Sequence, residues 1–318
     1  MTPIPFDWNS IQPGEKLAAS LAIPGTEIVL PVLAARGIKP GKTLVVSAGV
    51  HGDEPEGIQT IFDIFRALDP QHMSGSVIAV TVANPPAFWN NSRTSPLDGA
   101  NLARVFPGNP NGSPTEAIAY QFDQRILPLA DLYIDLHSAG VKWQMPTLIG
   151  YCEQEPAAAL AAEVFGAEVI WQHPAIAPGR TVSAAHARGI PSLYCEARGS
   201  GRIHADDLDV YYNGLRRLLQ HLHILEGAHT PTPKPIRLRG DGNIDKGIEA
   251  KQPGFLTPMV DILQHVEQGQ PLGILQDLWG RTLEEFFAPC SGVVVLIHAL
   301  PMVQPGEPLF LITDRIGE

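Results

Sequence analysis

Apolar runs of strand length recur along the first two thirds of the chain, each followed by a helical stripe. Thr43–Ala48 (Thr-Leu-Val-Val-Ser-Ala) is one such run, and Glu54–Leu68 then places Ile58, Ile61, Phe62 and Phe65 at helical spacing. Val77–Val82 predicts the next strand and Thr115–Leu127 the next helix, with Thr115 as its cap. Leu132–Leu136, Glu168–Trp171 and Ile190–Cys195 predict further strands. A helix over Ala157–Phe165 lies among them, and a long one over Asp206–Leu225 closes the series. Short strand-like pieces over Glu27–Leu33 precede it. Such alternation predicts an α/β fold, a mostly parallel or mixed sheet with helices on both faces. One stretch breaks the rhythm. Asn84–Pro114, rich in Pro, Asn and Gly, is too long for an idle connection in a compact domain.

The pattern changes near residues 226–235, where Gly227-Ala-His-Thr-Pro-Thr-Pro-Lys-Pro235 reads as a proline-rich linker. No long helical stripe follows. Instead Val266-Glu-Gln-Gly269-Gln-Pro-Leu272 and Val303-Gln-Pro-Gly306-Glu-Pro-Leu309 repeat the pattern V-x-x-G-x-P-L, each ahead of an apolar run. A doubled turn-and-strand unit predicts a small two-fold β-sandwich, similar to the biotinyl/lipoyl fold. Carriers of that fold present a lysine at a hairpin tip, and His298-Ala-Leu-Pro-Met302 has none, so the tail is expected to be structural. The division predicted is 1–226 for an α/β domain and 227–318 for a β-rich one.

Composition narrows the function classes. A net charge of −11 and the lack of any basic block exclude a nucleic-acid partner. No apolar run approaches a membrane span, and Met1-Thr-Pro-Ile-Pro-Phe-Asp-Trp8 lacks the features of a signal peptide. With a mean hydropathy of +0.02, the expectation is a cytoplasmic globular protein, homo-oligomerisation being left open. Cys152, Cys195 and Cys290 form no C-x-x-C pair, which argues against disulfides or a cysteine zinc site. They are expected to be buried small hydrophobes.

Candidate chemistry gathers at strand ends, where open α/β sheets bind ligands. His51 and Glu54 lie in Gly49-Val-His-Gly-Asp-Glu-Pro-Glu-Gly57, just past the first strand. Spaced this way, an imidazole and a carboxylate can grip one divalent cation. A catalytic zinc needs three such ligands and an open position. His137 ends Asp135-Leu-His-Ser138, with Asp135 on the same strand face as a candidate partner for the imidazole. Glu196 ends the Ile190–Cys195 run and is a candidate general base. The long loop supplies Arg93 and Arg104.

These motifs, H-x-x-E after a strand, D-L-H-S, N-L-x-R-V-F-P-G and a late E-x-x-G, resemble the succinylglutamate desuccinylase/aspartoacylase family over most of residues 40–225, in order. The family belongs to a wider zinc carboxypeptidase-like group. The resemblance implies a zinc-dependent amidohydrolase, one Zn²⁺ per chain, acting on a small N-acyl amino acid or similar compound. It implies His51, Glu54 and His137 as zinc ligands and Glu196 as base and later proton donor. Arg93 would polarise the scissile carbonyl and Arg104 would bind a substrate carboxylate, with Asn101 nearby at the substrate. The pattern departs in two places. Ala103 stands where the family usually has Asn before the arginine, and Arg198 stands where relatives often carry Gly. Arg198 is therefore a candidate for redirecting specificity. Two other readings compete: a metallocarboxypeptidase acting on peptides, and a catalytically silent metal-containing binding protein, against which the retained Glu196 argues.

Overall fold

The computed structural model describes residues 4–227 and 234–316. The linker expected at 227–235 falls largely outside the described residues. The core is a large mixed sheet. From one edge inward its strands are Ile4–Pro5, Lys16–Ala22, Val29–Arg36, Ser74–Val80, Lys39–Ala48, Leu132–Ser138, Ser192–Ala197, Leu148–Cys152 and Val169–His173. Beyond Val169–His173 the same sheet continues into the C-terminal part of the chain. Ile236–Arg239 pairs in parallel with Val169–His173 and antiparallel with Pro308–Arg315. Gly292–His298 and His265–Val266 follow. A second, four-stranded antiparallel sheet is ordered Thr282–Phe287, Pro271–Gln276, Gly254–Pro258, Met302–Val303 and packs over Leu256, Leu272, Leu275, Val294, Leu309 and Phe310.

Alternation along the central strands decides the two helical layers. Leu44, Val46, Ile134 and Leu136 face one side. There they meet Ile58, Ile61 and Ile64 of the helix Glu56–Ala67 and Leu215, Leu218 and Leu219 of the helix Ala205–His221. Val45 and Tyr133 face the other side, against Ile118 and Phe122 of the helix Pro114–Arg125 and Ala185 of Thr181–Ala187. Each fully buried aliphatic or aromatic side chain adds about 1.5–3 kcal/mol of transfer free energy. Among the described residues no helix is long and apolar enough to cross a membrane.

The doubled V-x-x-G-x-P-L pattern forms the same turn twice. Gly269 and Gly306 have φ of +83° and +82°, and Gln270 and Glu307 each return a side-chain oxygen to the backbone N–H three residues earlier.

Several expectations are corrected. The first helix begins at Glu56 with Pro55 as its cap, not at Glu54, so Glu54 stays on the turn, free of helical geometry. The helix expected at Thr115 is capped by Ser113, whose hydroxyl and Glu116 form a reciprocal pair. Thr115 instead bonds Asp98 and so ties the long loop down. The strands Lys16–Ala22 and Leu148–Cys152 and the helix Thr181–Ala187 go beyond the elements that the apolar pattern predicts. Cys152 and Cys195 are buried, but Cys290 is exposed.

Candidate active site

Three neighbouring strands, Lys39–Ala48, Leu132–Ser138 and Ser192–Ala197, run parallel, so their carboxyl ends meet at one edge. Register aligns Ser47 with Asp135 and Glu196 with His137. Asp135 and His137 therefore share a face with Tyr194 and Glu196. The turn after Ala48 brings His51 and Glu54 over the same edge. It is tight for a steric reason: a Cβ on Gly52 would lie 2.0 Å from the Ala87 carbonyl carbon. Only glycine lets the turn seat on the backbone of the long loop.

His51 Nδ1 lies 2.6 Å from Glu54 Oε1, and His137 Nδ1 lies 2.8 Å from Glu54 Oε2. Ligand atoms of the three residues all fall within 4.8 Å of one another. The outer ring nitrogens explain why both Nδ1 atoms point inward. His51 Nε2 donates to Asn101 Oδ1 at 3.1 Å, and His137 Nε2 donates to Asp135 Oδ2 at 3.0 Å. Each bond fixes a tautomer whose Nδ1 lone pair is available to a cation. Asp135 is itself held by Ser47 Oγ at 2.6 Å and by the Thr181 hydroxyl. The backbone carbonyl of His137 accepts from Tyr211 Oη at 2.6 Å.

Charge balance fits a divalent cation here. Burial alone would raise the Glu54 carboxyl, but the facing His51 and His137 hold it below the usual carboxylate range. Burial, joined by the charge of Arg93, lowers His51 to about 4. His137 goes the other way. Burial disfavours its charge, yet Asp135 and Glu54 raise it well above the ordinary histidine value. Burial, reinforced by the like charge of Glu54, raises Glu196 to about 8. Glu196 Oε2 is withdrawn from solvent and has no hydrogen-bond partner among the described residues. His51 Nδ1, His137 Nδ1 and the Glu54 carboxylate between them make a three-ligand donor set suited to zinc, with the orphaned Glu196 oxygen outside it.

Arg93 Nη1 lies 3.1 Å from Glu54 Oε1 and 3.3 Å from His51 Nδ1, and its guanidinium stacks 5.4 Å over Trp143. The tail fixes Trp143, whose indole donates to Pro308 O at 2.9 Å and whose strand Trp143–Gln144 pairs with Gly292–His298. Arg104 lines the cavity but is engaged. Its Nε and Nη2 donate to Asp245 Oδ2 at 3.2 and 2.9 Å, from a loop 141 residues further along the chain. Asn101, expected at the substrate, sits behind His51 and caps Leu102–Arg104. Arg198 does not line the cavity. It reaches Asp207 at 3.4 Å and Asp206 at 3.8 Å.

The cavity, about 100 Å³, is bounded by His51, Arg93, His137 and Glu196 at one end. Elsewhere it is bounded by groups that sequence reasoning passed over: Arg180, Trp171, His173, Tyr194, and Asp241 and Ile244 of the tail. No motif marks them. Arg180 is a single loop residue, and the tail residues approach only through the sheet's continuation.

His173 Nδ1 lies 2.6 Å from Gly240 O, which only accepts, so Nδ1 carries the proton. Burial, against the pull of that bond, lowers His173 to about 4. The neutral ring therefore accepts at Nε2 from Tyr194 Oη, 2.7 Å away. Unfolded, His173 titrates near 6.5, so between pH 4 and 6.5 the unfolded chain binds the extra proton and stability rises with pH. Full protonation would cost about 3 kcal/mol. His173→Gln should flatten the stability–pH slope in that window, read by urea denaturation. An unchanged slope would show that the ring is not held neutral.

A family model, the succinylglutamate desuccinylase/aspartoacylase catalytic domain, matches residues 40–222. The chain is 29% identical over 298 residues to the N-alpha-acetyl-L-2,4-diaminobutyric acid deacetylase of Halomonas elongata, covering 91% of this chain and 86% of that one. Two solved structures each superpose with a TM-score of 0.85 at 26% identity, covering 96% of this chain and 98% of theirs. One is a succinylglutamate desuccinylase from Silicibacter sp. TM1040, the other the product-bound ectoine utilization protein EutE (DoeB) from Ruegeria pomeroyi. With the metal-type cluster, the strand-end glutamate and the matched span together, the chain belongs to the succinylglutamate desuccinylase/aspartoacylase family.

Proposed function

We propose that the protein is a cytoplasmic zinc-dependent deacylase that hydrolyses the amide bond of a small N-acyl amino acid. The observation carrying this reading is the convergence of His51 Nδ1, the Glu54 carboxylate and His137 Nδ1 beside the unpartnered Glu196 Oε2. A zinc ion held by those three residues would supply, when bound, the charge that acidifies a water and polarises a carbonyl. Glu196 takes the proton of the attacking water and returns it to the leaving nitrogen as the C–N bond breaks. A carboxyl with raised proton affinity both accepts and releases a proton near neutral pH. Arg93 donates to the oxygen on which negative charge develops. Asp135 and Asn101 hold the two imidazoles in the tautomers this requires.

In this reading residues 1–226 carry the hydrolytic groups and the β-rich unit 227–318 completes the cavity wall. A cavity of about 100 Å³ suits a small N-acyl compound better than a polypeptide. The Halomonas relative makes N-α-acetyl-2,4-diaminobutyrate the first substrate to try. The test is zinc analysis coupled to a hydrolysis screen of N-acetyl, N-succinyl and N-formyl amino acids. About one zinc per chain and turnover of one of these classes is expected. A zinc-loaded protein inert toward all of them would overturn the reading.

A further inference from the structure

The turn His298–Met302 at the tip of the β-rich part is docked, not free. The strand leading into it, Gly292–His298, pairs with Trp143–Gln144 and sets His298 opposite Trp143. Ala299 N donates to Lys142 O at 2.8 Å. The His298 ring meets the Trp143 ring edge-on, 6.3 Å between centroids, and the Trp143 indole donates to Pro308 O at 2.9 Å. On its other side the same short segment is bonded to the residues just after Glu196. Ser200 N donates to Trp143 O at 3.0 Å and Met145 N to Arg198 O at 3.2 Å. Trp143 is thus buried and fixed from two directions.

We propose that Trp143 is a positioning residue that aims Arg93 at the cavity, and that the tip turn of the tail is the brace that keeps its ring in place. This rests on the deacylase reading, in which Arg93 meets the developing negative charge. The side chain of Arg93 needs such a device. Its guanidinium makes its hydrogen bonds through Nη1 alone, to Glu54 Oε1 and His51 Nδ1, and Nε and Nη2 make none among the described residues. A group held at one nitrogen can pivot about it. Both acceptors also belong to the cluster that would hold zinc, and an ion bound there draws on the same lone pairs. The contact with Trp143 lies outside that competition. The guanidinium carbon stands 5.4 Å from the ring centroid, within the range where an aromatic face attracts a cation. A flat ring against a flat guanidinium also fixes the plane that one nitrogen leaves open. The tail thereby acts on the reacting end of the cavity without placing a side chain there.

The test compares zinc-loaded, full-length wild type, Trp143→Phe, Trp143→Leu, Arg93→Gln and the double variant Trp143→Leu/Arg93→Gln on N-α-acetyl-L-2,4-diaminobutyrate. Trp143→Leu should lower kcat by about 10-fold with KM within about twofold of wild type, the scale of one partly desolvated cation–π contact. Trp143→Phe keeps an aromatic face and loses only the indole N–H, so it should recover most of kcat. Once Arg93 is gone, removing the ring should cost nothing further, whereas a merely structural role would make the two losses multiply. Urea denaturation of the same proteins without metal gives a readout independent of turnover. There the folding constants should show Trp143 and Arg93 coupled by about 10-fold. Should Trp143→Leu fold poorly, Trp143→Met takes its place. An unchanged kcat in Trp143→Leu, a Phe variant as slow as the Leu variant, or multiplying losses in the double variant overturns the assignment. If wild type does not hydrolyse the compound, the deacylase reading fails separately. The metal-free cycle then decides whether Trp143 holds Arg93, and independent effects in it overturn that contact.

Discussion

Glu196→Gln is expected to lower kcat/KM by about 10²- to 10⁴-fold while zinc content stays at the wild-type level. The amide has the shape of the carboxyl it replaces, and Glu196 Oε2 makes no hydrogen bond among the described residues that the change would break. Glu196 is also not one of the three converging ligands. What disappears is the capacity to take a proton from water and deliver it to nitrogen. The fold should tolerate the change, because a buried carboxyl raised to about 8 is already unfavourable in its charged form. Steady-state kinetics with metal analysis checks this. Wild-type turnover, or loss of zinc together with activity, would mean that Glu196 does something else.

His137→Ala should remove both metal binding and a large part of the stability. The imidazole stands between Glu54 at 2.8 Å and Asp135 at 3.0 Å, and without it two interior carboxylates lose a shared partner. Breaking a buried ionic arrangement in this way costs about 3–5 kcal/mol. Chelation of the wild type should behave differently. Its activity should vanish, but His137, raised well above the usual histidine range, can then hold a proton between the same two acids. Only the stability linked to metal binding is lost, and adding zinc back should restore both. Urea denaturation of both proteins with and without chelator separates the cases. A His137→Ala protein that unfolds like the chelated wild type would contradict the expectation.

The parts of the site legible in the sequence share one property: they stand at the ends of apolar runs. Thr43–Ala48 and Leu132–Leu136 announce their strands by composition, and the polar residues just beyond, His51, Glu54 and His137, inherit a position from them. Glu196 is legible for the same reason. Arg180 and Asp245 are not, because nothing local distinguishes a cavity-lining arginine, or the acid that pairs with one, from a surface residue. The Arg104–Asp245 pair is created by a contact between residues 141 apart. Leu148–Cys152 is not legible because it is short and buried throughout, with Gly150 at its centre and Pro146 just ahead. Neither helical nor alternating periodicity survives in such a segment. The tail was legible as a repeat, but not as a contributor to the cavity. Its composition says nothing about which edge it joins.

The strand Ile236–Arg239 lies between Val169–His173 and Pro308–Arg315, so the α/β part and the β-rich part share one unbroken ladder of backbone hydrogen bonds. A chain ending before that strand would leave Val169–His173 as a bare edge, a template for unwanted pairing with other chains. It would also lose the carbonyl that holds Trp143 under Arg93. The tail is therefore not a module that recombination can trade freely. Substitutions in its 241–246 loop, in contrast, can reshape the cavity wall while His51, Glu54, His137 and Glu196 keep their places. The shape of the cavity is thus set in part from the far end of the chain.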